Sequence, residues 1–453
     1  MPVRWAAGIV TVVVLGALVA PGAPVGIAAA STGAWVGRAK EPAYEETVRL
    51  TVDDLQDYWA NELPTLYGVR YRKIPASKII AYTSTSKIPR CGPGRVSYKD
   101  VAENAFYCNA GKFVAYDDEN LFPQLDEQFG DFTIALTLAH EWGHAVQDQA
   151  GLTGPTIALE QQADCFAGAW VRNVGDGASN RLSLNEGNLD TGLAGFLTFR
   201  DPPGSDPTAE GAHGSAFDRV GAFQEGYDNG PERCADFENN PPELTDIQFT
   251  DPGDADRGGD LPFRQVVPVA AEDLDAYWSG LLTDYQSVEH ITPYDPKRAL
   301  PVCDGQQLPR SQAVNGIAYC GENRTIAYDR QLLPDVYERS GDFGVAVVIA
   351  AEWAVAMQQD QAVTGEPRSL ELQQSCFTGS WAGDVVRGGH NPDGQGLTLS
   401  AGDLDEAIQS FLIFRDTDKI SAGTGATAFE NADAFRSGFF QGEQFCVDLV
   451  PAS

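Results

Sequence analysis

The spacing of the eight cysteines constrains this 453-residue chain more than any other feature. They fall into two sets, Cys91, Cys108, Cys165, Cys234 and Cys303, Cys320, Cys376, Cys446, with successive gaps of 17, 57 and 69 residues in the first set and 17, 56 and 70 in the second. Chance does not readily produce three matching gaps. The flanking residues agree as well. Asp54-Leu55 with Tyr58-Trp59 answers to Asp273-Leu274 with Tyr277-Trp278, and Ala115-Tyr116-Asp117 to Ala327-Tyr328-Asp329. Gly130-Asp131-Phe132 answers to Gly341-Asp342-Phe343, Cys165-Phe166 with Gly168 and Trp170 to Cys376-Phe377 with Gly379 and Trp381, and Phe199-Arg200-Asp201 to Phe414-Arg415-Asp416. A period of about 212 residues is far longer than any solenoid repeat, so the pattern reads as a domain present twice. The chain length suits two such cores. Residues 45–240 form the first domain, 241–264 an Asp-, Pro- and Gly-rich linker at the surface, and 265–453 the second.

The N-terminus reads as an export signal over residues 1–30. Arg4 is the positive residue, Ala6–Ala20 is an apolar run shorter than a membrane-spanning helix needs, and Ala28-Ala29-Ala30 offers small residues for cleavage. If left uncleaved, the leader would serve as an N-terminal membrane anchor. No other segment is expected to cross a bilayer. The destination is extracytoplasmic, either secreted or cell envelope, and there cysteines favour disulfides. Four cysteines per domain allow three pairings. The sequence does not choose among them, and the favoured set is Cys91–Cys108, Cys165–Cys234, Cys303–Cys320 and Cys376–Cys446. A net charge of −33 argues for solubility and against nucleic acid as a partner.

The expected fold class is α+β, mainly helical with small sheets. Helices are expected at Leu50–Leu63, Phe132–Gln149, Thr156–Asn173, Leu189–Phe199 and Ser215–Asp228, and strands at Lys78–Tyr82 and Lys112–Tyr116.

Inside the second of these helices lies His140-Glu141-Trp142-Gly143-His144, an HExxH sequence. Residues i and i+4 share a helix face, so both imidazoles can reach one ion, and Glu141 lies close enough to hold a water on it. Sixteen residues past His144 comes Glu160, a candidate third ligand from an antiparallel helix. Asp164, one turn later, can accept the free N–H of a ligand histidine and fix its tautomer. Two His, one Glu and a water make a catalytic zinc set with one position open. The spacing excludes the metzincin pattern, since Gln147 and Ala150 stand where it needs Gly and His. The second domain has Ala351, Val355 and Ser375 in place of His140, His144 and Asp164, but keeps Glu352 and Glu371 in place of Glu141 and Glu160. The ligand set is broken while the packing residues persist, and the two surviving glutamates read as structural. His213, in Ala212-His213-Gly214-Ser215, has Gly425 as its counterpart. It reads equally well as a donor to the oxyanion of peptide attack or as an inert helix-start residue, and less well as a metal ligand in place of Glu160.

The segments His140 to Gln147 and Leu159 to Trp170, with His213-Gly214-Ser215, resemble the bacterial family called "putative neutral zinc metallopeptidases". The resemblance covers about residues 50–240, with a degraded echo over 265–450. It implies a zincin-like α+β domain, here the first of two tandem, disulfide-stapled copies and a gluzincin-like peptidase acting on a protein or peptide substrate; the second, metal-deficient copy departs from the family pattern of one such domain. In that domain His140, His144 and Glu160 would ligate Zn2+ and Glu141 would be the catalytic base, with His213 as a further catalytic candidate and Asp164 behind the ligands. A substrate strand is expected beside Lys112–Tyr116. The rival expectation is a non-catalytic envelope binding or scaffold protein with a structural zinc.

Overall fold

The computed structural model describes residues 44–450 apart from 93–95, 210, 391–395 and 416–423. The expected leader, residues 1–30, lies outside the described residues. The chain divides into two compact units. Unit 1 comprises residues up to Arg200 with Thr208–Gly214 and Ala222–Pro242, and unit 2 comprises Asp201–Pro207, Ser215–Gly221 and Glu243–Ser453.

Unit 1 is built from α1 (Tyr44–Tyr67), β1 (Ile79–Tyr82), β2 (Ala105–Cys108), β3 (Phe113–Asp117), α2 (Leu121–Phe129), α3 (Asp131–Ala150), α4 (Thr156–Gly175) and α5 (Glu186–Phe196), with α6 (Ala216–Ala235) joining it from Ala222 onward. α3 is the central element. Apolar or small residues fill it on every side from Phe132 to Ala139, so it is buried nearly all round, as such a helix must be. It packs on α1, α4, α5, α2 and β2. Gly130 at its start (φ 84°) and Gly151 at its end (φ 77°) take left-handed backbone that other residues adopt at a cost. The sheet runs in the order β1-β3-β2, with β1 parallel and β2 antiparallel to β3. Tyr82, Phe106 and Phe113 form the core of this layer. Cys91 and Cys108 clamp the preceding loop onto β2, and Cys165 and Cys234 join α4 to α6.

Unit 2 contains α7 (Pro252–Ala255), α8 (Phe263–Leu281), β4 (His290–Tyr294), β5 (Val302–Cys303), β6 (Gln306–Gln307), α9 (Arg310–Ala313), β7 (Ile317–Cys320), β8 (Thr325–Asp329), α10 (Leu332–Asp360), α11 (Pro367–Arg387), α12 (Asp403–Phe414), α13 (Ala428–Gln441) and α14 (Glu443–Leu449). Its main sheet has the order β4-β8-β7, again parallel then antiparallel. α10 breaks at Ser340-Gly341, where Gly341 is left-handed (φ 72°). Cys303 pairs with Cys320 and Cys376 with Cys446.

The fold class is therefore α+β, helix-rich and disulfide-stapled. Several expectations need correction. β2 and α2 were absent from the sequence reading, because Ala-Phe-Tyr-Cys is too short to alternate visibly and Pro123 disguises a helix that it merely opens. The helix expected at Ser215–Asp228, α6, runs on to Ala235, past a break at Gly230 that obscures it. The segment 241–264 is not bare linker, since it holds α7 and Asp254 is buried there. Among the described residues one helix, α10, is long and apolar enough to cross a membrane, but 78% of its most apolar stretch is buried inside the protein.

Candidate active site

The site is made where α3 meets α4. Gly143 sets the distance between them, because a Cβ there would lie 2.8 Å from the Cα of Ala163, closer than real contacts allow. At that separation the buried carboxylate of Glu160 on α4 lies under both imidazoles of α3. His140 Nε2 is 3.2 Å from Glu160 Oε2 and His144 Nε2 is 3.4 Å from Oε1. All three residues offer donor atoms within 4.8 Å of one another.

Each imidazole is fixed from behind. His140 Nδ1 is 2.6 Å from Asp164 Oδ1, and His144 Nδ1 is 2.9 Å from Gln147 Oε1. Gln147 is held in turn by donating to the Leu159 carbonyl and to Gln162 Oε1. With Asp164 and Gln147 accepting from Nδ1 in both rings, both Nε2 atoms face the carboxylate. Glu141 is anchored by the sheet: its Oε2 accepts the N–H of Tyr107 in β2 at 2.7 Å. His140, Glu141, His144 and Glu160 line one cavity together with Tyr107, Asp148 and His213. Asp148 accepts from the Tyr107 hydroxyl and pairs with Lys112 at the rim.

The electrostatics describe a place that wants positive charge. Burial alone would lower His140, but Asp164 and Glu160 overcome it and raise the group to about 10. Burial would likewise lower His144, and Glu160 again raises it. Burial would raise Glu160, yet the two imidazoles hold it well below the usual carboxylate range. Glu141 is pushed up, first by burial, although both imidazoles oppose the shift.

Zinc fits this donor set. Ligands about 2.1 Å from a tetrahedral ion stand roughly 3.4 Å apart, close to both imidazole–carboxylate distances. Glu160 is buried and its two oxygens face His140 Nε2 and His144 Nε2, so a cation among the three would satisfy all of them. Three protein ligands leave a position open.

The structure thus brings together all five residues singled out around the HExxH sequence, and puts His213 on the same cavity wall. One expectation fails: Lys112–Tyr116 cannot lie beside a substrate strand. β3 is the central strand, paired on both sides, and the edge strand at the site is β2. Three contributors escaped the sequence reading. Gly143 carried a signal, being a glycine inside a helix. Gln147 was noticed only as a mismatch to another pattern. Tyr107 acts through its backbone, which side-chain chemistry does not announce.

In unit 2 the corresponding positions hold Ala351 and Val355 on α10, and Ala354 stands where Gly143 does. Glu352 Oε2 accepts the N–H of Tyr319 in β7 at 2.8 Å, the same bond that Glu141 makes. Glu371 takes the N–H of Ala426 and the side-chain amide of Asn431, both ahead of or within α13. Both glutamates therefore have structural work without a metal.

A family model described as "Putative neutral zinc metallopeptidase" matches residues 3–237. The chain is 30% identical over 175 residues to an uncharacterized protein of Mycobacterium tuberculosis, Rv2575, an overlap that spans 32% of this chain and 58% of that protein. It is 25% identical over 229 residues to the uncharacterized protein YpfJ of Escherichia coli, covering 44% of this chain and 75% of the relative. The chain thus spans less than two thirds of the mycobacterial relative's length. No solved structure matches it significantly.

Proposed function

Because this chain belongs to the family of "putative neutral zinc metallopeptidases", whose membership implies a zinc cofactor, we propose that unit 1 hydrolyses peptide bonds in a protein or peptide substrate. The observation that carries the reading is the convergence of His140 Nε2 and His144 Nε2 on the two oxygens of Glu160, with Glu141 on the same cavity. His140, His144 and Glu160 hold the ion. Zinc, when bound, polarises a carbonyl and acidifies a water.

The remaining steps belong to the chain itself. Asp164 and Gln147 keep each imidazole in the tautomer that points Nε2 inward. Glu141 takes a proton from the attacking water and returns it to the leaving nitrogen. Its burial raises its proton affinity, which suits a group that must both take and give at neutral pH. The Tyr107 N–H holds one oxygen of Glu141 and leaves the other for the water. His213, on the same wall, donates to the oxyanion. The outer edge of β2 receives the substrate as an added strand.

Unit 2 is read as a second copy of the same domain that does not catalyse. Its matched sheet order and its matched disulfide spacings of 17 and 70 residues, against 17 and 69 in unit 1, support the copy. The loss of both imidazoles supports the silence. Four disulfides favour an oxidising, extracytoplasmic setting, which agrees with the export reading of the N-terminus.

The test is metal analysis of the purified chain beside digestion of a peptide library with and without chelator. About one zinc per chain and chelator-sensitive cleavage are expected, both lost in His144→Ala. A chain that holds zinc and cleaves nothing would be the binding or scaffold protein instead, and a chain without zinc would remove both readings.

A further inference from the structure

Unit 2 gathers acidic residues where α8, α10 and α12 meet. Asp260 lies just ahead of α8, Asp342 follows the break in α10, and Asp403 and Glu406 stand in the first turn of α12. Carboxylate oxygens of Asp260, Asp342 and Glu406 lie within 4.8 Å of one another. Each acid is aimed by a backbone N–H that holds one of its oxygens. Asp260 Oδ1 accepts from Asp342 at 3.2 Å, Asp342 Oδ2 from Leu261 at 2.7 Å, Glu406 Oε2 from Phe343 at 2.9 Å and Asp403 Oδ2 from Ser400 at 2.8 Å.

The other oxygens are what set this cluster apart from a solvated acidic patch. Asp342 Oδ1 and Asp403 Oδ1 are buried with no hydrogen-bond partner, on residues only 5% and 4% exposed. Among the described residues, no Lys or Arg ion-pairs with any of the four acids. A buried acceptor without donor or counter-charge is rare in a folded protein and calls for an explanation. Burial and mutual repulsion push Asp342 up to about 6 and Asp403 well above the usual carboxylate range.

Unit 1 offers a built-in contrast. The carboxylate of Glu406 sits over Gly341 so closely that a Cβ there would lie 2.1 Å from Oε1, whereas the matching Gly130 has nothing within 4 Å. In register, Asn188 and Thr191 stand for Asp403 and Glu406. The shared acid, Asp131, is satisfied by the Thr47 hydroxyl at 2.6 Å.

We propose that Asp260, Asp342, Asp403 and Glu406 form a calcium-class divalent cation site private to unit 2. An all-oxygen, carboxylate-rich set with no imidazole or thiolate suits a hard cation and disfavours zinc. Calcium is favoured over magnesium because its looser coordination accepts acids arriving from three different segments. The ion fastens the entry to α8, the break in α10 and the start of α12 to one another. It lies away from Ala351 and Val355, the counterparts of the imidazole pair, and it does not depend on the zinc reading. Extracellular sites of this kind bind at about 10⁻⁴–10⁻³ M.

The test uses the full zinc-loaded chain in 150 mM KCl (approximately physiological screening). Calcium chloride and magnesium chloride are titrated by calorimetry and by thermal melting. The expected result is about one saturable calcium per chain and, at 10 mM calcium, a melting rise of roughly 3–10 °C, with a smaller response to magnesium. Glu406→Gln and Asp403→Asn should each weaken binding at least about tenfold, while raising the calcium-free melting temperature by relieving like-charge repulsion. His140→Ala should leave calcium binding intact, which separates this site from the zinc site. Calcium binding unchanged in both acid variants would overturn the proposal. So would the absence of saturable binding in the parent chain, which would leave the acids as carboxyls sharing protons.

Discussion

Unit 1 and unit 2 carry the same tryptophan hydrogen bonds and differ at the metal positions. Trp142 and Trp353 donate to Tyr71 and Tyr285, and Trp170 and Trp381 donate to Asp54 and Asp273. The amide of Gln147 reaches the Leu159 carbonyl and that of Gln358 reaches the Leu370 carbonyl. Gly168 lies against the Phe223 carbonyl and Gly379 against that of Phe435, each too tightly for a side chain. Helix contacts of this kind are costly to change, because a Cβ has nowhere to go. The metal positions are under no such constraint. Ala351 and Val355 can replace imidazoles without disturbing the helix, and Ala354 can replace Gly143 once no carboxylate needs to approach. On the proposed reading, unit 2 has lost the chemistry and kept the architecture, since separate residues hold the two.

The largest expected effect that would break this contrast is at the base. Glu141→Gln should keep the zinc and lower peptide hydrolysis by about 10²–10⁴-fold, as loss of a general base does. Zinc content and turnover measured on one preparation decide it. Hydrolysis within about threefold of the parent would move the base elsewhere.

Next is the residue behind the ligand. Asp164→Ser gives unit 1 the side chain that unit 2 has at Ser375. It removes the 2.6 Å contact to His140 Nδ1 and with it the fixed tautomer. Zinc affinity should fall roughly 10–100-fold with the fold intact, as read by competition with a chelator of known affinity. An unchanged affinity would mean that Asp164 merely fills space.

Much of this was legible in the chain. Cysteine gaps and a helical HExxH depend on spacing alone, and spacing survives in a sequence. Glu160 was legible for the same reason, since a helix, a short turn and an antiparallel helix leave few places for a third ligand. The acidic set of unit 2 was not legible. Asp260, Asp342 and Glu406 are 82 and 64 residues apart along the chain, and no period links them. In a sequence with 64 acidic residues, four of them on loops and helix starts look like solubility. The strand edge was misread because β2 is only Ala105–Cys108, and a strand that short shows its role only when its partner is seen.

A pH series sharpens the contrast at smaller amplitude. In metal-free unit 1, His140 is raised from 6.5 to about 10, so the folded state binds its proton more tightly than the unfolded state. That stabilisation is complete below pH 6.5 and fades as pH climbs towards 10. Zinc competes with the same proton, so its own stabilising effect should grow over that window. Melting curves with chelator should fall from neutral to alkaline pH, and the zinc-induced rise should widen. Parallel curves with and without zinc would place the proton away from the metal position.

The smallest effect tests whether unit 2 retains its glutamate for structure alone. Glu352 Oε2 accepts the Tyr319 N–H just as Glu141 accepts that of Tyr107. Glu352→Ala leaves a half-buried backbone donor without its acceptor, a loss of about 1–3 kcal/mol. In a domain of this size that is a few degrees of melting temperature, roughly 2–4 °C for each kcal/mol. Peptide hydrolysis should not change. Glu141→Ala should show the same small melting loss together with the large loss of turnover, because the bond to the sheet is common to both units and only one unit has imidazoles beside it. If Glu352→Ala also reduced turnover, unit 2 would be contributing to catalysis, and the division of labour between the copies would have to be redrawn.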